Sequence, residues 1–271
     1  MPDAPPSVAR AVPRGPLFLL GRRTLGLTIR IVPHAWRSRI AFRASRVLLP
    51  LLRHIPFMEE TRHMNAEREV DTAFAMVLRA MDRLDVGFDL QFRVEGEPLL
   101  DAALGHASGT LMIGTHAWTT TLITRALYDA GIDFHVVASG PRYHIPGTPQ
   151  WVDTIEATPY MLVRVRSALR RGEVVFALLD RGAPQTSRTT RIDTALGEVH
   201  IAEAILRIAA TSGTPTIFMM SSMSDDGTVH VCYSAPRAGA NATASELMRD
   251  FSSAIIDHHV ALAARGSSLE R

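Results

Sequence analysis

The stretch Gly109-Thr-Leu-Met-Ile-Gly-Thr-His-Ala-Trp-Thr-Thr-Thr-Leu-Ile-Thr-Arg125 decides the fold. Leu111, Met112 and Ile113 form a short apolar run bounded by glycines, the pattern of a buried strand. Gly114 and Thr115 loosen the chain, and His116 follows at once. Thr119, Thr120 and Thr121 offer hydroxyls able to cap a helix. Leu122, Ile123, Ala126 and Leu127 then recur at helical spacing up to Gly131, a C-terminal stop. A histidine at the carboxyl end of a strand in an open α/β sheet stands where such sheets hold their ligands. His116 is therefore the leading candidate for chemistry.

The same alternation continues outward. Apolar runs at 90–94, 134–138, 174–179, 216–220 and 229–233 read as strands. Helical spacing appears over 61–85, 97–105, 161–171, 198–210 and 244–263. Asp225-Asp-Gly227 is a turn signal joining the last two strands as a hairpin. Residues 140–149 carry three prolines and read as a long loop, of the kind that serves as a lid or binding loop. Residues 183–194 read as a polar loop over the site. This order predicts an α/β fold, a single domain with a central, mostly parallel sheet flanked by helices. That domain is expected to span residues 59–271, behind a basic amphipathic helical extension at residues 1–58.

Charge sets the extension apart. The chain contains no lysine, and between Ala4 and Met58 there are ten arginines and no acid. With Asp3, residues 1–58 carry about +9; the whole chain is +2, leaving about −7 for the rest. Pro33 and Pro50 are expected to break the extension into short pieces. Apolar residues interleaved with arginine suit either an interfacial membrane segment facing anionic headgroups or a helical layer packed on the domain. No run reaches the roughly 18–20 apolar residues of a membrane span, and Leu17-Phe-Leu-Leu20 is too short for a signal-peptide core. Few aromatic residues accompany the arginines, which argues against nucleic-acid binding. The single cysteine, Cys232, excludes an intrachain disulfide and reads as a packed strand residue. His63 and Glu67, spaced i,i+4, lack a third ligand and read as solvated surface rather than a metal site, as does His106.

Asp180 closes the 174–179 strand and, in a parallel sheet, points into the same crevice as His116. Several phrases occur in a fixed order around these residues: Val94-Glu-Gly-Glu-Pro-Leu-Leu100, Gly114-Thr-His116, Arg171-Gly-Glu-Val-Val175 with Asp180, and Thr211-Ser-Gly-Thr-Pro215. This ordered set resembles the lysophospholipid acyltransferase superfamily, closest to the bacterial lipid A biosynthesis (lauroyl/myristoyl) acyltransferases. The resemblance covers about residues 60–235. It implies transfer of a fatty acyl chain to a hydroxyl or amine of a lipid or glycolipid acceptor. It implies no bound cofactor; the co-substrate is an acyl thioester of acyl carrier protein or coenzyme A. It also implies a peripheral place on the cytoplasmic face of the inner membrane, against an anionic membrane surface.

In that family a histidine is followed five residues later by an acid, which orients the imidazole as it takes the acceptor's proton. His116 matches, but the fifth position is Thr121, which cannot offset a positive ring. A second acid, two positions after the one matched by Asp180, is replaced by Gly182. Three readings follow. Asp180, Glu198 or Asp193 substitutes for the missing acid; His116 works alone; or the scaffold has lost the chemistry and binds a lipid or partner. A transferase with a small-molecule acceptor is a further alternative. By the resemblance, Thr121 lines the substrate site, and Arg164 and Arg181 stand where relatives hold phosphate, which a guanidinium fork suits. Asp257-His258-His259 is similar to the double-histidine motif of condensation-type acyltransferases, but lacks the acid four residues on. It reads as capping or surface.

Overall fold

A computed structural model of the 271-residue chain describes residues 31–52, 74, 77, 78, 81, 87–116, 119–180, 189–224, 226–237 and 242–269. Helix α1 (His34–Leu52) precedes β1 (Phe92–Glu95), α2 (Glu97–Leu104), β2 (Thr110–Gly114), α3 (Thr120–Asp129), β3 (His135–Ala138) and β4 (Arg142–His144). Then come β5 (Trp151–Glu156), α4 (Met161–Arg170), β6 (Val174–Leu178), β7 (Thr189–Thr194), β8 (Gly197–Ala202), α5 (Ala204–Ser212), β9 (Thr216–Met223), β10 (Val229–Ser234) and α6 (Ala244–Leu269).

Eight strands form one sheet in the order β1-β10-β9-β2-β6-β3-β5-β4, and β7 and β8 pair separately. The central run β9-β2-β6-β3-β5 is parallel throughout. Only β10 against β9 and β4 against β5 are antiparallel within the large sheet. This is the expected α/β architecture.

Strand alternation explains why the sheet is covered on both faces. Met112, Phe176, Ile217 and Met219 pack on one side with Leu122, Ile123 and Leu127 of α3, Leu100 of α2 and Phe42 of α1. Leu111, Ile113, Val175, Ala177, Phe218 and Met220 pack on the other with Val165 of α4, Leu206 of α5 and Phe251 of α6. The rings of Phe218 and Phe251 meet at a tilt of 52°, with their centroids 5.2 Å apart. The result is three layers, helix on sheet on helix.

The crossovers define a switch point. From β2 the chain runs through α3, on the first face, to β3 on one side; from β6 it runs through α5, on the second face, to β9 on the other. The crevice between the carboxyl ends of β2 and β6 is where such sheets bind ligands.

Several expectations are corrected. The predicted loop at 140–149 contains β4, and residues 151–156 form a strand that the sequence reading passed over. Its turn is no free lid. Gly147 (φ 76°) lies so close to Phe88 that a Cβ there would meet the ring at 2.8 Å. Arg125 donates to the Pro146 carbonyl at 3.2 Å.

The predicted helix over 198–210 is strand β8 followed by α5. Ile201, Ile205 and Ile208 carry helical spacing, yet Val199 and Ile201 also alternate, and burial of both beside Ile192 decides for the strand. The same hairpin makes part of the predicted 183–194 loop into β7. Pro50 falls inside the last turn of α1 rather than breaking it. Cys232 is exposed on β10, because Val229, Val231 and Tyr233 take the inward positions. The last helix runs on to Leu269. The predicted 61–85 helix lies mostly outside the described residues; its Phe74, Val77, Leu78 and Met81 are helical. The His63 and Glu67 pair lies wholly outside them.

Candidate active site

His116 follows β2 and Asp180 follows β6, so adjacent parallel strands deliver both to the switch-point crevice. Leu179 N–H donates to the Gly114 carbonyl at 3.0 Å, extending the β2–β6 ladder to the residue before Asp180 and to the second residue before His116. Gly114 is required there by space: a Cβ would stand 2.9 Å from the Met219 carbonyl oxygen and 3.3 Å from Thr120 Cγ2.

One carboxylate oxygen does two things. Asp180 Oδ1 accepts the backbone N–H of His116 at 2.7 Å and lies 2.7 Å from its ring Nδ1. A carboxylate is acceptor-only, so the shared proton sits on Nδ1, and the lone pair of the neutral ring is then on Nε2. The His116 side chain is 30% exposed and that of Asp180 15%. Among the described residues Nε2 meets no hydrogen-bonding partner. The pair is an imidazole oriented by a carboxylate through Nδ1 and partly open to solvent.

The structure thus brings together His116 and Asp180, two of the residues singled out in sequence. Glu198 does not join them. Its carboxylate binds Arg191 at 2.7 Å and the ring of His200, on the exposed β7–β8 hairpin. Asp193 likewise pairs with Arg191. Both acids were assigned to a helix or a loop; on hairpin strands they face solvent. Thr121 stands in the first turn of α3, half-buried, and its carbonyl accepts from Thr124 at 2.6 Å and from Tyr143 at 3.4 Å. Arg164 is exposed on α4, whose N-terminal end rises at the carboxyl edge of the sheet. Its guanidinium meets no partner among the described residues. Arg181 lies outside the described residues.

The threonines do not cap α3 as expected. Thr119 occupies the cap position with no side-chain cap bond. Its Oγ1 takes the Ser221 hydroxyl proton at 2.9 Å and donates to the Ser221 carbonyl at 3.3 Å; Thr120 Oγ1 lies 3.2 Å from Ser221 Oγ. All three are buried. Ser221, which the sequence reading missed, is the residue that ties α3 to β9. Its signal was faint: a serine pair at the end of an otherwise apolar strand.

The reading of His258 and His259 as capping or surface groups is overturned. His259 is 5% exposed and bonds Thr194 through Nδ1 at 2.8 Å; His258 Nε2 lies 3.0 Å from the Ser221 carbonyl. Among the described residues no three His, Cys, Asp or Glu side chains converge as a metal site. No helix among them is long and apolar enough to cross a membrane.

No protein-family model matches the chain, and no curated protein sequence matches it.

Proposed function

We propose that the chain is an acyltransferase, moving a fatty acyl group from a thioester of acyl carrier protein or coenzyme A to a hydroxyl or amine of a lipid or glycolipid acceptor. The observation that carries this reading is the 2.7 Å contact between His116 Nδ1 and Asp180 Oδ1 at the switch point. The resemblance demands an acid beside this histidine, and Asp180 meets that demand from the neighbouring strand where Thr121 does not.

In this mechanism Nε2 removes the acceptor's proton as its oxygen or nitrogen attacks the thioester carbonyl. Asp180 holds the ring and offsets the imidazolium charge. The tetrahedral intermediate collapses with expulsion of the thiolate, which takes the proton back from Nε2 and leaves as a thiol. Thr119 and Thr120 commit their hydroxyls to Ser221, so the N-terminus of α3 carries no side-chain cap, and its positive dipole end suits a developing oxyanion. No bound cofactor enters this chemistry; the thioester is a co-substrate. Arg164, at the same edge, is the proposed phosphate contact.

The same reading gives the protein a peripheral place on the cytoplasmic face of the inner membrane. Helix α1 supports it. Phe42 packs beside Gly227 in the β9–β10 turn, while Trp36, Ile40, Arg39 and Arg43 stay exposed. An apolar and cationic surface therefore lies at the end of the sheet that carries His116.

The test is to compare whole-cell lipid and small-metabolite mass spectra from cells expressing wild type and His116→Ala. A species that gains an acyl mass only with wild type supports transfer and identifies the acceptor, lipid or small molecule. An acylated species made equally by both proteins removes His116 as the base. Identical spectra without any new species, with both proteins folded, favour a relative that binds lipid or a partner without catalysis.

A further inference from the structure

Asp257-His258-His259 sits on α6, far along the chain from either member of the candidate pair, and nothing in the proposed chemistry uses it. Yet both histidines are tied inward. Thr194 Oγ1 lies 2.6 Å from the Gly197 carbonyl, to which it donates, so it accepts from His259 Nδ1–H and from the Leu196 N–H. A carbonyl only accepts, so His258 Nε2 carries the proton it gives to Ser221.

Ser221 is the junction. Its carbonyl takes the His258 proton and that of Thr119, while its hydroxyl donates to Thr119 and accepts from Thr120. One consistent direction runs through the chain: Thr120 to the Ser221 hydroxyl, to Thr119, to the Ser221 carbonyl, which His258 also feeds. Buried polar chains of this kind are rigid when every member is satisfied, and no described buried side-chain polar atom lacks a partner.

The consequence falls on His116. It stands two residues after Gly114, which Leu179 holds, and three before Thr119, which Ser221 holds. We infer that His258 is a positioning residue: by donating to the Ser221 carbonyl from α6, it steadies the anchor of Thr119 so that Nδ1 of His116 stays on Asp180. This rests on the reading of His116 as a base. His259 fixes the same helix to the β7–β8 hairpin, so α6 is bonded both to β9, which holds Thr119, and to the hairpin that follows Asp180.

The test uses the full chain with His258→Phe, which fills the site without a donor, and His258→Gln, whose amide N–H reaches about where Nε2 stands. Two quantities are read: ¹⁵N NMR shifts of the His116 ring, assigned by loss of its signals in His116→Ala, and the rate of acyl transfer. In wild type the ring shows the Nδ1–H tautomer. His258→Phe is expected to mix its tautomers and to lower kcat on the order of tenfold with KM unchanged, as a displaced catalytic group does; His258→Gln restores both. His258→Leu, which also removes the donor to the Ser221 carbonyl, produces the same mixing and serves if His258→Phe does not fold. An unchanged His116 spectrum in folded His258→Phe or His258→Leu overturns the inference. The NMR readout needs no substrate, so failure of the acyltransferase reading leaves this result separately legible.

Discussion

Asp180 Oδ1 lies 2.7 Å from both the backbone nitrogen and the ring Nδ1 of His116, although 64 residues separate the two in sequence. The backbone bond fixes where the carboxylate stands, and the ring bond fixes which imidazole nitrogen is basic. A single oxygen thereby ties the loop after β2 to the end of β6.

Asp180→Asn keeps an oxygen that can accept from the ring but removes the charge that offsets an imidazolium. Acyl transfer should fall within the roughly 10²- to 10⁴-fold range that general base catalysis supplies. Thr121→Val should lower it far less. The measurement is the acylated species formed per amount of folded protein; the reverse ranking would remove Asp180 as the orienting acid.

Gly109 tests the amino edge of the sheet, away from the crevice. Its φ is +68°, and a Cβ there would meet the carbonyl oxygens of Glu173 at 2.5 Å and Leu169 at 2.7 Å. Gly109→Ala is expected to cost at least about 2 kcal/mol, from strained backbone and backbone overlap together. Urea unfolding reads this directly, as a lower midpoint at unchanged slope.

The β9–β10 turn carries a small acid-sensitive element. Asp226 accepts from the Ser224 hydroxyl at 2.7 Å and the Thr228 N–H at 3.0 Å, and these bonds pull its carboxyl from 3.8 down to about 2. The folded value lies below the ordinary one, so the stabilisation is complete above pH 4 to 5 and is lost as pH falls through about 2. Because the group is exposed, solvent screening limits the effect to a few tenths of a kcal/mol, roughly. Asp226→Asn should be slightly less stable than wild type at pH 6 and indistinguishable from it near pH 2.

Membrane attachment through the basic start is also measurable. The protein should sediment with anionic vesicles and come off at high salt, since the Debye length falls from about 10 Å at 0.1 M to about 3 Å at 1 M. Trp36→Ser removes an exposed apolar contact and should weaken binding at every salt concentration. Equal recovery in the supernatant with and without anionic lipid would rule the attachment out.

What sequence determined by itself was the local order. Short apolar runs closed by glycine or an acid marked β2, β3, β6 and β9, and helical spacing marked α3 and α4. These signals rest on backbone preference and one-dimensional periodicity, and they were enough to bring out His116 and to favour Asp180 for its place at a strand end. Tertiary structure decided the rest. Residues 198–202 fit both a helix and a strand until pairing with β7 buried Val199 and Ile201, and Glu198 left the list of partners for His116 with that choice. Thr119 looked like a helix cap because nothing in sequence announces Ser221, 102 residues away, as the donor to its hydroxyl. His258 and His259 looked superficial because a helix tells its neighbours which face it buries only once it is packed. Hydrogen bonds between side chains distant in sequence follow from strand order and layer packing. That is why the acid beside His116 could be ranked from the sequence and was assigned by the fold.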